Sequence, residues 1–331
     1  MCLSYSENFL SLKKLSPNGS GAFCYLCSVA KPLGVSYALF SVLASLGMGN
    51  MTQTSSAVSA ASQGFALPKW LCAVSVVVFC AFAIRDKSKC ASLCERLVPL
   101  AALTFVLTSL LILALHPYKT FVSLTGIIGD AFNIRACAGG TLSAFFIRTC
   151  VGGLRRGVFS HEAGLGSTCA IHSSCHIKDP RLQGKLAMAE VFIDTMVICT
   201  LTALVILVSE TDYASQPDGT LTVVNAYTAC LGAKALGRVF TCLCLTLFSL
   251  CTLCGWFFIG ESSFCCLFPK GDLAYKLVYL LCAYLGSQFA IQTVWDLSDI
   301  FNALMAIPNL IGVLLLSGKI LPPKFRPQRD G

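Results

Sequence analysis

A short polar segment, RRGVFSHEAGLGSTC at residues 155–169, carries residue types that could do chemistry. Ser160, His161, Glu162 and Ser167 supply hydroxyls, an imidazole and a carboxylate. The segment is too polar for a plain membrane-spanning helix, yet its flanks are apolar. Backbone that leaves a helix at membrane depth is tolerated only where protein or a water-filled cavity supplies its hydrogen bonds. We therefore predict a broken helix that lines a binding cavity, with a kinked helix that binds nothing as the alternative.

The composition indicates the environment in which this segment lies. Of the 331 residues, 56% are hydrophobic and 12% are charged, and the mean hydropathy is +0.75. These values predict an all-α polytopic membrane protein. The net charge of +8 does not indicate nucleic-acid binding, because the basic residues are spread over short loops and the tail. The 20 cysteines lie mostly within apolar stretches, so we interpret them as packing residues.

The apolar stretches predict about eight transmembrane helices, each near the length that a bilayer requires. Residues 116–152 are mixed in character and suit an interfacial loop with short amphipathic helices. The predicted spans are 34–58, 70–84, 97–115, the broken helix at 153–174, 185–208, 239–259, 274–294 and 297–316.

An even number of spans places both termini on one side of the membrane. The positive-inside rule favours a cytoplasmic location for both termini. The segment 116–156 argues against this orientation, because its excess of arginine would lie on the outer side. We therefore divide the chain into a cytoplasmic N-terminal segment at 1–32, a transmembrane domain at 33–318 and a cytoplasmic basic tail at 319–331. Residues 1–31 contain no signal-peptide core.

Three carboxylates are predicted at membrane depth, where a charge is costly enough to indicate a function. Glu190 and Asp194 are four residues apart and share a helix face toward the bundle. For Glu162 we predict that the carboxylate braces the helix break by accepting backbone amides, with direct coordination of an ion as the alternative. Pro308 interrupts the last span, which predicts a packing kink with Asn309 beside it.

Four ordered motifs resemble the sodium:alanine symporter family, also called the alanine or glycine:cation symporters. RRGVFSHEAGLGS resembles the family's RGLFSNEAGMGS signature, and GNMTQTSSAV at 49–58 is similar to its GNMVQ segment. The stretches VFIDTMVICTLTALVILVS at 191–209 and VWDLSDIFNALMAIPNLIGVLLLSG at 294–318 resemble its next helix and its last core helix. The resemblance covers about residues 19–319.

The resemblance implies a leucine-transporter-type inverted-repeat fold, in which two broken helices meet at the midplane of the membrane. Counted against that plan, the eight spans correspond to core helices three to ten. Nothing in residues 1–18 resembles the first two helices. We therefore expect an N-terminally truncated member of the family, and a transport-inactive remnant is the alternative to an active symporter.

The resemblance also implies a substrate site for alanine or glycine. Phe159, Ser160 and His161 occupy the positions at which the family's broken helix faces the substrate, with Gln53 opposite. His161 replaces the family's asparagine, so it either changes substrate preference or pH sensitivity, or bonds to a local carbonyl.

A coupling sodium ion would be held by oxygen ligands near the same site. LFSLCTLCGWFFIGE resembles the family's FAFSTILGWYYYGE, which assigns Thr252 to the second sodium-binding hydroxyl and Trp256 to the wall of the substrate pocket. Cys251 replaces the first hydroxyl, and sulfur is a poor sodium ligand. No further cofactor or metal is expected.

Two other groups of residues suggest functions different from transport. Cys169, His172, Cys175 and His176 lie within eight residues and could form a zinc site. Ser160, His161 and Glu162 are hydrolase residue types, but sequence neighbours cannot converge as nucleophile, base and orienting group. The prediction is therefore a sodium-coupled alanine or glycine symporter of the bacterial inner membrane, surrounded by lipid, and not an enzyme.

Overall fold

The computed structural model describes residues 1–12, 21–131, 142–173, 177, 179–212, 215–216 and 218–320. Every regular element among these residues is helical. Two π-helical segments, Gly47–Met51 and Ile193–Cys199, connect consecutive α-helices. The α-helices are α1 Cys2–Leu12, α2 Ala22–Val29, α3 Lys31–Leu46, α4 Thr52–Phe65, α5 Lys69–Ala83, α6 Lys87–Leu115, α7 Pro117–Ala131, α8 Leu142–His161, α9 Thr168–His172, α10 Pro180–Phe192, α11 Thr200–Val208, α12 Gly219–Cys230, α13 Lys234–Leu267, α14 Asp272–Gly286, α15 Ile291–Leu315 and α16 Ser317–Ile320.

Five helical stretches of the described residues are long and apolar enough to cross a membrane. This finding agrees with a polytopic membrane protein, while the predicted count of eight spans and the inverted repeat stay predictions. Helix α5 is apolar but shorter than the five. The five stretches are Lys31–Phe65, Ser88–Leu115, Pro180–Val208, Lys234–Leu267 and Ile291–Leu315.

Helix α13 is the central element of the bundle. It packs against α3, α4, α6 and α12. Its Leu253 and Phe257 belong to a buried apolar cluster that also contains Tyr275 and Tyr279 of α14. The hydroxyl of Tyr279 donates to the carbonyl oxygen of Leu253 over 2.7 Å, which satisfies a polar atom that burial would otherwise leave without a partner.

Several polar side chains of the first predicted span face the protein interior. Asn50, Thr52 and Thr54 are at most 3% exposed, and the Asn50 amide donates to the Tyr279 carbonyl over 2.7 Å. Gly49 lies directly under the indole of Trp256, because a Cβ at Gly49 would come within 2.2 Å of that ring. The glycine therefore permits the π-helical segment to approach α13.

Several helix boundaries differ from the sequence-based prediction. Helix α6 begins at Lys87 rather than Leu97, because the Asp86 carboxylate accepts from the amides of Ser88 and Lys89 and caps the helix. Helix α8 begins at Leu142 rather than 153, so part of the predicted interfacial loop is continuous with the broken helix. The last two long helices are divided at 287–290 rather than at 295–296.

Candidate functional site

The predicted broken helix is present. Helix α8 ends at His161 and helical structure resumes at Thr168. Between them Glu162, Gly164 and Gly166 adopt left-handed backbone angles, with φ of +52°, +100° and +72°. A left-handed residue cannot continue a right-handed helix, so these positions end α8 and turn the chain.

Glu162 braces this break through side chains. Its two carboxylate oxygens accept from the Ser167 hydroxyl over 2.6 Å and from the Trp256 indole N–H over 3.0 Å. We predicted backbone amides as the donors, and these two bonds correct that prediction. Glu162 thereby links the break to the central helix α13.

Asn309 braces the break from the opposite side. Its amide nitrogen donates to the Gly164 carbonyl over 2.9 Å and also to the Glu7 carboxylate, while its oxygen accepts from the Tyr25 hydroxyl. Glu7 is fully buried. Sequence reasoning missed Glu7 and Tyr25, since neither lies in a recognisable motif.

A cavity of about 600 Å³ opens beside the break and brings most of the predicted site residues together. Ser160, His161, Cys251, Thr252 and Trp256 all line it, and so do the carboxylate-bearing residues Glu162, Glu190 and Asp194. The other lining residues are Ser4, Cys94, Glu95, Val98, Pro99, Thr168, Ile171, Val191, Gly255 and Ile259.

Two predicted site residues do not line this cavity. Gln53 is half-buried near the start of α4. The Phe159 ring lies 4.6 Å from the ring of Trp295, and the Arg156 guanidinium lies 4.3 Å from that same ring. Arg156 also forms an ion pair with Asp299 over 2.6 Å, so Phe159 belongs to a contact between α8 and α15.

Polar contacts fix the side chains at the cavity wall. The Ser160 hydroxyl donates to the Asp194 carboxylate over 2.5 Å. The Nδ1 atom of His161 accepts from the Ala163 amide over 3.0 Å, so a neutral imidazole carries its proton on Nε2. This local bond uses an amide rather than the carbonyl that the alternative interpretation invoked, and it leaves the Nε2 proton for another acceptor.

The α13 residues present one hydroxyl oxygen to the cavity. Thr252 donates to the Phe248 carbonyl over 2.9 Å, and its lone pairs stay available to a cation. Cys251 presents sulfur, which is a weak ligand for Na⁺. Further oxygen atoms that could bind a cation are nevertheless present, because Ser160, Asp194 and Thr168 also line the cavity.

Only two of the four residues of the alternative zinc site, Cys169 and His172, lie in the part of the chain that the structure describes. His172 contacts Glu190 over 3.1 Å, and Cys169 is fully buried, whereas Cys175 and His176 lie outside the described residues. Within the part of the chain that the structure describes, no group of three or more His, Cys, Asp or Glu side chains is arranged to hold a metal ion.

The amino-acid sequence of this chain is similar to those of known transporters. The profile of the sodium:alanine symporter family matches residues 20–323. The sodium/alanine symporter AgcS of Methanococcus maripaludis is 32% identical over 97% of this chain and 73% of its own length. An uncharacterized transporter of Haemophilus influenzae is 29% identical over 97% of this chain and 72% of its own. The probable sodium/glutamine symporter GlnT of Bacillus subtilis is 30% identical over 85% of this chain and 59% of its own.

Proposed function

The chain belongs to the sodium:alanine symporter family, and on this premise we propose that it carries alanine or glycine together with Na⁺ across a bacterial inner membrane. The cavity beside the helix break is the proposed binding site. The observation that carries the proposal is that this cavity joins the family's signature segment to hydroxyl and carboxylate oxygens of α10, α13 and the π-helical segment that follows α10.

A zwitterionic amino acid needs an acceptor for its ammonium group and a donor for its carboxylate. Asp194, which accepts a hydrogen bond from Ser160, presents carboxylate oxygens at the cavity wall that can accept from the ammonium group. The Nε2 proton of His161 is a donor, because Nδ1 is already engaged with the Ala163 amide. The Asp194 carboxylate and the His161 N–H therefore supply the acceptor and the donor that the proposed substrate needs.

The coupling ion is a second substrate in this proposal. Sodium prefers hard oxygen ligands, and Thr252 supplies a hydroxyl of the kind that the family resemblance assigns to it. Ser160 and Asp194 are further oxygen donors on the same cavity wall. Cys251 contributes no oxygen, so the proposed ion contacts come from these other residues.

The choice of a small substrate rests on the AgcS name and on Trp256, whose buried ring closes one wall of the cavity. A volume of about 600 Å³ also admits larger amino acids, and GlnT is named for glutamine. Competition of alanine uptake by unlabelled glycine and glutamine separates these substrates. Glycine should compete, and stronger competition by glutamine would contradict the proposed preference.

Substitution of His161 tests its role in the site. His161→Asn retains a side-chain amide that can donate, so alanine uptake should be unchanged or increased. His161→Ala removes the donor and should reduce uptake. Loss of uptake in His161→Asn at normal expression would mean that the resemblance misplaces this residue.

A further inference from the structure

Four cysteine side chains lie in a row across the packing surface between α6 and α13. Helices α6 and α13 pack against each other, and Cys94 of α6 and Cys251 of α13 line the same cavity. The Cys94 side chain interacts with those of Cys251 and Cys90, and the Cys90 side chain interacts with that of Cys254. Each helix contributes two of these residues at a spacing of about one turn. All four are free cysteines. The sequence interpretation of the cysteines as packing residues does not account for this alignment.

The row has a buried end and an accessible end. Cys90 and Cys254 are 6% and 2% exposed. Cys94 and Cys251 are half-buried, and both line the cavity beside the helix break. A small reagent that enters the cavity therefore meets Cys94 and Cys251 first, while the other two thiols are shielded by protein.

We propose that Cys94 and Cys251 form a dithiol modification site, which a small oxidant of the peroxide class converts into a disulfide joining α6 to α13. The sulfur of one cysteine attacks an oxygen of hydrogen peroxide and the O–O bond breaks. The leaving hydroxide takes up the thiol proton, so that a sulfenic acid and one water form. The second thiol then attacks the sulfenic sulfur, an S–S bond forms, and a second water leaves. The two thiols lose two protons and two electrons in total, and the peroxide is reduced to two waters.

The packing of the two helices favours this pairing. A disulfide requires Cβ atoms about 3.8 Å apart. Cys94 and Cys251 lie on two helices that pack against each other and line one cavity, so side-chain rotation and a small adjustment of the helices can bring their sulfur atoms together. The reaction is thus directed to a neighbour rather than to a distant cysteine.

The position of the disulfide predicts an effect on transport, and this part rests on the proposed function. Cys251 directly precedes Thr252, and Cys94 lies on the facing helix, so the bond would connect two walls of the binding cavity. Any transport step in which α6 and α13 move relative to one another would be blocked. Oxidation should therefore abolish alanine uptake, and dithiothreitol should restore it.

The experiment treats the purified full chain with hydrogen peroxide, blocks residual thiols with N-ethylmaleimide and maps disulfide-linked peptides by mass spectrometry. The expected product links Cys94 to Cys251 and disappears on reduction. Cys94→Ser should abolish the link, whereas the matched variant Cys90→Ser should retain it. Cys199, an exposed cysteine whose thiol contacts the Ser160 hydroxyl over 3.3 Å, reports whether the oxidant reacts.

Oxidation of Cys199 without a Cys94–Cys251 link would overturn the proposal, as would a link between Cys90 and Cys254 in its place. Protection of Cys94 from N-ethylmaleimide after oxidation of the native chain gives a second readout that does not depend on the variants folding. Uptake that persists in fully linked protein would overturn the predicted block. Absence of uptake in the reduced protein would instead contradict the proposed function and leave the linkage result standing.

Discussion

Asn309 connects the helix break to two other buried side chains, because it contacts Gly164, Glu7 and Tyr25. Asn309→Ala leaves the Gly164 carbonyl and the Tyr25 hydroxyl without this partner. A buried polar group without a partner costs about 1–3 kcal/mol, so the melting temperature of the purified protein should fall clearly. Gln292→Ala on the same helix removes an exposed amide and is the control. Equal melting temperatures for the two variants would mean that Asn309 does not brace the break.

The indole N–H of Trp256 is expected to matter separately from its ring. Trp256→Phe keeps an aromatic ring but removes the donor to Glu162, which then retains only the Ser167 hydroxyl. We expect reduced alanine uptake and a lower melting temperature. Trp70→Phe changes an indole that is 62% exposed and should alter neither quantity. Uptake equal to that of the native chain would show that the link between Glu162 and α13 is dispensable.

For single residues, the sequence predicts the members of a motif better than the residues that contact them. Ser160, His161, Thr252 and Trp256 lie in segments that resemble family motifs, and the structure brings them to one cavity. Glu7 lies outside any motif, and its contact with Asn309 spans most of the chain, so no local pattern indicates it.

Among the elements, the contact between the first π-helical segment and α13 depends on a missing side chain. Gly49→Ala places a Cβ within 2.2 Å of the Trp256 ring. Overpacking of a buried site costs about 1–3 kcal/mol, so thermal stability should fall. Gly126→Ala in α7 is the matched control, because nothing lies within 4 Å of its Cβ position. A gain in stability for Gly49→Ala would contradict the close approach.

The cap at the start of α6 predicts a dependence on pH. The Ser88 hydroxyl, together with the Lys89 amide, lowers the pKa of Asp86 to about 2. A lowered pKa means that the cap stabilises the protein above the ordinary pKa of an aspartate and that this stabilisation is lost as the pH falls toward 2. Asp86→Ala should therefore reduce thermal stability at pH 7 but not near pH 2, and Asp86→Asn should preserve a cap that does not titrate. A stability difference that is constant with pH would contradict this role.

Helix boundaries show why hydropathy places elements only approximately. Polar residues are spread from Ser287 to Asn309 rather than gathered at one point, so hydropathy does not locate the turn at 287–290. That turn follows Gly286, whose Cβ position lies within 2.5 Å of the Met51 backbone, a tertiary contact that the local sequence does not encode. The break at 162–167 was predictable because four of its six residues are glycine or polar, namely Glu162, Gly164, Gly166 and Ser167.

For the whole molecule, the predicted topology places both termini in the cytoplasm. The measurement uses single cysteines in a background without native thiols, labelled from outside by a membrane-impermeant reagent. Ser215→Cys should be labelled, since it lies between the predicted spans 185–208 and 239–259, on the outer side when the N-terminus is cytoplasmic. Gln328→Cys in the tail should be labelled only after permeabilisation. The reverse pattern would invert the orientation.

The central claim is that this chain couples amino-acid uptake to sodium. The most direct measurement reconstitutes the 331-residue chain into proteoliposomes and follows labelled alanine with an inward Na⁺ gradient and with a matched K⁺ gradient. We predict accumulation above the external concentration with Na⁺ alone, and its collapse when a sodium ionophore dissipates the gradient. Equal and passive equilibration under both gradients, by protein that is folded by its melting curve, would contradict the claim and favour a transport-inactive member of the family.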